Sequence, residues 1–315
     1  MDTRIVKLSF SAPVHFGDGR LTGSGYSCDA ATLFSALFIE ALRSDCNEQF
    51  LAAVKFGDTA ISDAFPFIGD TLYLPRPMVS PGVSGEAEKQ VPEEVDQTVK
   101  KAYKKLIYIP ALLYGEYFLG SLDPRKQNES FKKLGSSTLQ TKVNLTRELS
   151  DDAEPYHVGG FSFKENAGIY FIVKGSYKIE PLLERLQYSG IGGKRTSGYG
   201  RFEYSITTED PLLQAKGSFS HTSVAPSFIL MSSAAPTHEE LTDDLLASAR
   251  YSLVRKSGFV QSQDHSVTPQ KKRDFYTFSA GSVFAQRFDG GIIDVNQTLG
   301  AHPVYRYAKA LWMEV

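Results

Sequence analysis

Gly190-Ile191-Gly192-Gly193-Lys194-Arg195-Thr196-Ser197-Gly198-Tyr199-Gly200-Arg201 is the stretch on which the reading of this chain turns. Five of its twelve residues are glycine, where 26 glycines in 315 residues would place about one. Glycine allows positive φ and close backbone approach, so successive N–H groups in such a loop can converge on an anion. Lys194, Arg195 and Arg201 add positive charge, Thr196 and Ser197 add hydroxyls, and Tyr199 offers a ring that can stack on a base. Pro181-Leu-Leu-Glu-Arg-Leu-Gln-Tyr188 has helical spacing before it, and Phe202, Tyr204 and Ile206 alternate after it. The local order is therefore helix, loop, strand, with the loop built to hold a polyanion.

Commoner phosphate loops do not fit. A Walker A loop needs Gly-Lys followed by Ser or Thr and a glycine five positions before the second, whereas Arg195 follows Lys194 and Tyr188 holds the earlier position. A dinucleotide fingerprint lies between a strand and a following helix, the reverse of the order here.

Working outward, Val6, Leu8 and Phe10 alternate as a strand. A helix follows, capped near Ser27 or Asp29, with Leu33, Phe34, Leu37, Phe38, Ala41 and Leu42 as its apolar stripe. A shorter helix carries Phe50, Leu51 and Val54. Residues from about 75 to 154 read as an insertion. It opens with prolines and glycines, continues through a basic helix at 98–105 and an apolar stretch at 106–119, and ends in a polar part, 123–152, without periodicity. A hairpin is expected from 156–164 to 169–174 through Glu165-Asn-Ala-Gly168. Without the insertion the pattern is β-α-β-β-α-β, that of ferredoxin-like modules. Residues 209–315 read as a second, degenerate unit of the same kind. Its strands are expected at 227–232, 251–255, 274–278, 282–287 and 304–312, and its helix at 239–249. The fold class is thus α+β, with domains 1–208 and 209–315.

The formal charge of −2 does not suit a free-standing nucleic-acid binder, but the charge is patterned. Basic runs at 100–105, 125–133, 194–201 and 271–273 alternate with acidic runs at 86–96, 148–154 and 239–244, as suits one subunit of an assembly. Cys28 and Cys46 make no C-x-x-C and have no histidine cluster, so reduced thiols and no structural zinc are expected. Nothing resembles a signal sequence or a membrane span, which implies a cytoplasmic protein without membrane contact. Asp151-Asp152 and Asp243-Asp244 read as loop or helix-start pairs, not metal ligands. His238-Glu239-Glu240 lacks the second histidine of a zincin, and no G-x-S-x-G elbow occurs.

Several motifs together resemble a known family. They are His15-Phe16-Gly17, then Asp29-Ala-Ala-Thr-Leu-Phe-Ser-Ala-Leu37, the glycine-rich loop itself, Arg255-Lys256-Ser-Gly-Phe259, Ala280-Gly-Ser282-Val-Phe284, Gly291-Ile-Ile-Asp-Val295 and His302-Pro-Val-Tyr-Arg306-Tyr307. They are similar to the RAMP superfamily of CRISPR proteins, and within its Cas-five group to the fourth subunit of type III-A Csm complexes. Ser257 stands where many relatives have another glycine.

The resemblance implies a non-catalytic cap that holds the repeat-derived 5′ handle of the crRNA. It also implies partners: a large Palm-domain subunit, a backbone RAMP subunit, and a guide–target RNA duplex met by an inserted thumb between 108 and 156. On this reading Gly190, Gly192, Gly193, Lys194, Arg195, Thr196, Ser197, Gly198, Gly200 and Arg201 grip phosphate, and Tyr199 or Phe16 stacks a base. His15 and Gly17 complete that wall, and Arg255, Lys256, Ser282 and Arg306 face it. No cofactor or metal is implied.

Three rival readings stay open, the first two of them alternatives within the RAMP resemblance. One is an endoribonuclease with His15 as general acid or base, and another the equivalent type III-B subunit. The third is a scaffold whose loop meets protein instead of RNA. His157, His221, His238 and His265 lie in polar contexts, and His302 beside Pro303 reads as structural.

Overall fold

A computed structural model describes residues 2–17, 19–82, 97–144, 154–207, 209–218, 227–260, 268, 270–297 and 302–315. Asp151, Asp152, His221, His265 and the acidic run 86–96 lie outside these residues.

The chain opens with β1 (Thr3–Phe10), α1 (Ala30–Leu42) and α2 (Asn47–Lys55). Asp29 caps α1, its Oδ1 accepting from the Thr32 amide at 2.8 Å. Three short strands follow: β2 (Ala60–Ile61), β3 (Phe65–Ile68) and β4 (Thr71–Pro75). Next come α3 (Gln97–Lys105), β5 (Tyr108–Pro110), α4 (Tyr114–Leu119) and α5 (Pro124–Phe131). Then β6 (Gly135–Asn144) and β7 (Glu154–Phe163) form a long antiparallel pair, from Gly135↔Phe163 to Asn144↔Glu154. The first part closes with β8 (Ala167–Lys174), α6 (Glu180–Ser189) and β9 (Phe202–Thr207).

The main sheet runs β5-β4-β3-β8-β1-β9, with β2 also on β8 and every neighbour antiparallel. Its central strand β8 is apolar on both faces because both are covered. Ile169, Phe171 and Val173 point into a core with Leu33, Phe34 and Leu37 of α1 and Leu182, Leu183 and Leu186 of α6. Tyr170 and Ile172 point the other way, onto Leu72, Leu74, Tyr114 and Tyr117. That second core also takes in Ile229, Met231, Val283, Leu311 and Met313 from the C-terminal part, so the sheet is the wall both parts pack on.

The structure corrects the expected hairpin. β7 pairs with β6, and β8 pairs with β1 and β3. The turn after residue 164 exists, with Asn166 at φ 58°, but it carries the chain from the β6–β7 pair into the main sheet. The polar segment read as unpatterned contains α5, started by Asp123 and Pro124, and all of β6. Both elements are mostly exposed, so neither shows an apolar face in sequence.

In the C-terminal part the elements are α7 (Pro211–Gly217), β10 (Phe228–Leu230), α8 (Asp243–Ala247), β11 (Leu253–Lys256), β12 (Phe275–Phe278), β13 (Val283–Phe284), β14 (Gly290–Asp294), β15 (Tyr305–Lys309) and β16 (Trp312–Glu314). They form three small antiparallel sheets, β13-β10-β16, β11-β12 and β14-β15. The expected β12–β13 hairpin is absent, since each strand pairs elsewhere. A second β-α-β-β-α-β sheet does not form among the described residues. Asp243 and Asp244 occupy the first turn of α8 behind the Thr242 cap, as expected. No helix among the described residues is long and apolar enough to cross a membrane.

Candidate nucleic-acid interface

The glycine-rich loop leaves α6 at Gly190, whose φ of 75° ends the helix while its amide still reaches the Leu186 carbonyl at 2.7 Å. It then lies against residues 13–16. The Gly193 amide donates to the His15 carbonyl at 2.8 Å and the Gly200 amide to the Pro13 carbonyl at 2.9 Å. Gly192 has φ 88°, and a Cβ there would meet the His15 carbonyl oxygen at 2.8 Å. At Gly200 an added Cβ would lie 2.0 Å from the Ile191 carbonyl oxygen. These two contacts permit no side chain.

Residues 13–16 are in turn stitched to β7, with Val14 and Phe161 exchanging both backbone bonds at 2.9 Å. The loop, the strand exit and the β6–β7 pair therefore form one unit. His15 is buried, and its Nδ1 donates to the Gly159 carbonyl at 2.7 Å, which fixes the tautomer and leaves the Nε2 lone pair beside Gly17.

The centre of the loop is a tight turn. Lys194 sits in the left-handed region at φ 58°, and the Ser197, Gly198 and Tyr199 amides bond back to the Lys194 and Arg195 carbonyls. The amides of Gly192, Lys194, Arg195 and Thr196 enter none of these bonds. Thr196, Ser197 and Arg201 are exposed, and Lys194 and Arg195 half-buried. Lys194 Nζ lies 5.6 Å from the centre of the Tyr156 ring on β7. Lys142, Lys194, Arg195 and Arg201 make no ion pair among the described residues. Amides with no backbone partner and cations with no ion pair among the described residues thus lie in one short segment, as an anion site requires.

Other sequence-predicted residues go elsewhere. Tyr199 is 2% exposed, with its hydroxyl donating to Gln140 Oε1 at 2.8 Å and Lys142 Nζ 4.9 Å over its ring. Phe16 is 6% exposed. Burial removes both rings as stacking surfaces; they hold the loop to the β6–β7 pair and the core. Ser282 is fully buried between β10 and β13, its hydroxyl donating to the Ser279 carbonyl at 2.7 Å.

Lys256 is buried with its Nζ 2.6 Å from Asp29 Oδ2. Burial works to raise the Asp29 carboxyl, but the Lys256 ammonium and the Thr32 bonds hold it below its ordinary value. Arg255 is exposed and paired with Asp274. The Arg306 guanidinium donates to the Ser257 carbonyl at 3.0 Å, and burial lowers its pKa. Lys256 thus ties β11 to the start of α1, while Arg255 and Arg306 pair within the C-terminal part. Sequence reasoning missed Lys142 and Tyr156, which reach the loop only because β6 and β7 pair.

The family model for the CRISPR Csm4 C-terminal domain matches residues 223–315. Csm4 of Mycobacterium tuberculosis is 36% identical, the match covering 99% of this chain and 98% of that one. The chain belongs to the Csm4 family. Csm4 of Streptococcus thermophilus is 30% identical over 96% of this chain and 95% of its own. The resemblance to a type III-A RAMP protein read from the motifs is borne out. Among solved structures, a chain of a Csm3–Csm4 subcomplex of a type III-A interference complex matches with TM-score 0.61 at 17% identity, covering 99% of both chains. A chain of a Csm1–Csm4 cassette in complex with cA4 matches with TM-score 0.56 at 19% identity, over 99% of this chain and 96% of that one. These matches support the α+β fold of the Csm4 chain.

Proposed function

We propose that this Csm4-family chain is a non-catalytic, cytoplasmic subunit of a type III-A interference complex that binds and caps the 5′ handle of the crRNA. The observation that carries the reading is the loop segment 192–196, where the amides of Gly192, Lys194, Arg195 and Thr196 enter no backbone bond and the cations pair with no carboxylate among the described residues. A single-stranded handle needs its curved backbone gripped at its phosphates, and this segment supplies amide and cationic donors for that contact.

The β6–β7 pair is the candidate thumb toward a guide–target duplex, and its base is fixed to the same loop. Relatives found in Csm1–Csm4 and Csm3–Csm4 assemblies support a linking role between a large Palm-domain subunit and a backbone RAMP subunit. The order β3-β8-β1-β9, with α1 and α6 packed on one face, supports a ferredoxin-like reading of residues 1–208; residues 209–315 form the second unit.

The test is Lys194→Ala with Arg195→Ala in the assembled complex. Expected is a fall in crRNA recovered per complex, steeper as salt rises, with the fold intact. Unchanged occupancy at every salt concentration would overturn the reading.

One observation favours a second reading. The Nε2 lone pair of His15, next to the loop, is the geometry of a general base for 2′-hydroxyl chemistry. Precursor crRNA incubated with the purified chain separates the two. The cap reading expects no shortening, and cleavage lost in His15→Ala would establish the nuclease.

A further inference from the structure

The helical pair α3 and α5 stands outside the loop and carries a dense cluster of positive charge. Residues 97–133 contain eight lysines and arginines against three carboxylates, a net +5, in a chain whose formal total is −2. The two helices are held face to face, with the Asn128 side-chain amide donating to the Ala102 carbonyl at 3.0 Å and Arg125 bonded to Thr98. Ala102 and Tyr103 take the inner side of α3, and Tyr103 donates to the Leu122 carbonyl at 2.6 Å. Lys100, Lys101, Lys104 and Lys105 are therefore left together on the outer side, all exposed. On α5, Lys126 is exposed, as are Lys132 and Lys133 just beyond its end.

This arrangement works against the helix that bears it. Lys100 with Lys104 and Lys101 with Lys105 are like charges one turn apart, and each pair repels along the helix. Among the described residues the ion pair on this face is Lys132 with Glu129 at 2.8 Å; Lys100, Lys101, Lys104, Lys105, Lys126 and Lys133 have none. A face that only needed solvation would be served as well by mixed charges. One that meets anions from outside gains from the repulsion, because bound anions relieve it.

Composition separates the kinds of anion. Seven of the eight cations are lysine. Lysine is depleted in protein–protein interfaces, where arginine is favoured, but serves well as a point charge to phosphate. Position matters too. The chain passes from α5 through the buried Leu134 directly into β6, so α5 adjoins the base of the β6–β7 pair, whose β6 strand is mostly exposed.

We propose that the outer face of α3 and α5 is a second RNA-contacting surface, separate from the glycine-rich loop, that grips the phosphodiester backbone of a strand beside the β6–β7 pair. Contact is to phosphate and independent of base sequence.

The experiment uses the assembled, crRNA-loaded complex with Lys100, Lys101, Lys104 and Lys105 all changed to Gln, and a matching variant with all four changed to Arg. Binding of labelled RNA complementary to the guide, and of non-complementary RNA, is titrated from 50 to 400 mM KCl, and retained crRNA is quantified in parallel. Expected for the Gln variant is a slope of log affinity against log salt shallower by about 3, with the Arg variant like the wild type. Loss confined to added RNA assigns the surface to the target strand; loss of retained crRNA with an intact loop assigns it to the guide.

An unchanged slope in both arms would overturn the proposal. So would failure of the Gln variant, but not the Arg variant, to enter the complex, since the face would then hold protein. Removing like charges relieves repulsion, so the Gln variant is expected to fold. Lys126→Gln with Lys133→Gln on the second helix gives an independent slope change of about half that size.

Discussion

The Tyr199 hydroxyl donates to Gln140 Oε1 at 2.8 Å, a bond between the glycine-rich loop and the middle of β6, 59 residues away in sequence. With Lys142 lying over the ring, it fastens the β6–β7 pair to the loop. Tyr199→Phe keeps the packing and leaves the exposed Gln140 to water, so a loss of only about 1 kcal/mol is expected. Tyr199→Ala empties the space beneath a flexible lysine, with about 2–3 kcal/mol expected. Hydrogen exchange on β6 and β7 should quicken in the Ala variant and stay near wild type in the Phe variant. Equal exchange in all three proteins would show that the bond fastens nothing.

Lys256 and Asp29 close a second junction, between β11 and the start of α1. Asp29 also caps α1, so losing Lys256 leaves a largely buried carboxylate without its counter-charge. Lys256→Met should therefore destabilise by about 3 kcal/mol, while Asp29→Asn combined with Lys256→Met should recover much of that. Urea midpoints of the two variants decide it. A double variant no more stable than the single one would mean the ion pair is not what the junction depends on.

How far the sequence could be read follows from where each signal lies. α1 and α6 were legible because their apolar residues face one core at regular spacing, the loop because its glycines cluster after Gly190 ends the helix, and β9 because Phe202 and Tyr204 alternate, although Ile206 is exposed. The β6–β7 pair was not, because pairing is a long-range choice. The run at 156–163 has strand alternation and a turn after it, so nothing local says that its partner precedes it. β3 was missed for a related reason: four residues, Phe65-Pro-Phe-Ile68, are too few to show a period. In the site, charge was legible and exposure was not. Lys194 and Lys256 look alike in sequence, yet one borders the open loop edge and the other is buried against Asp29.

Asp63 gives the chain a specific pH response. Its Oδ1 accepts from the Ala30 and Ser233 amides at 2.8 and 2.7 Å, and Oδ2 from the Ser233 hydroxyl at 2.7 Å, joining α1 to the C-terminal part. Burial, then the nearby Asp29 charge, pushes its pKa up to about 6. An unfolded aspartate titrates near 4, so between about pH 4 and 6 the folded state holds the extra proton. Stability from this group therefore falls as pH rises through that window and is flat above it. Asp63→Asn keeps an acceptor for both amides and has no proton to lose. Its urea midpoint should match or exceed the wild type at pH 7, and the difference between the two should shrink toward pH 4. A difference that does not change between pH 4 and 7 contradicts the assignment.

Lys194 holds its charge at a conformational cost. A non-glycine residue at φ 58° is less stable there than in the right-handed region by roughly 1–2 kcal/mol. Glycine would remove that cost, partly offset by its greater freedom in the unfolded chain. Lys194→Gly should thus leave stability unchanged or raise it by up to about 1 kcal/mol, while crRNA held by the complex falls. Lys194→Ala loses the same charge and keeps the unfavourable φ, so it should match Lys194→Gly in RNA retention and lie below it in thermal midpoint. The pair separates charge from loop shape. If Gly retained crRNA like the wild type while Ala lost it, the turn would matter and the ammonium would not, and the case for phosphate contact at this residue would fail.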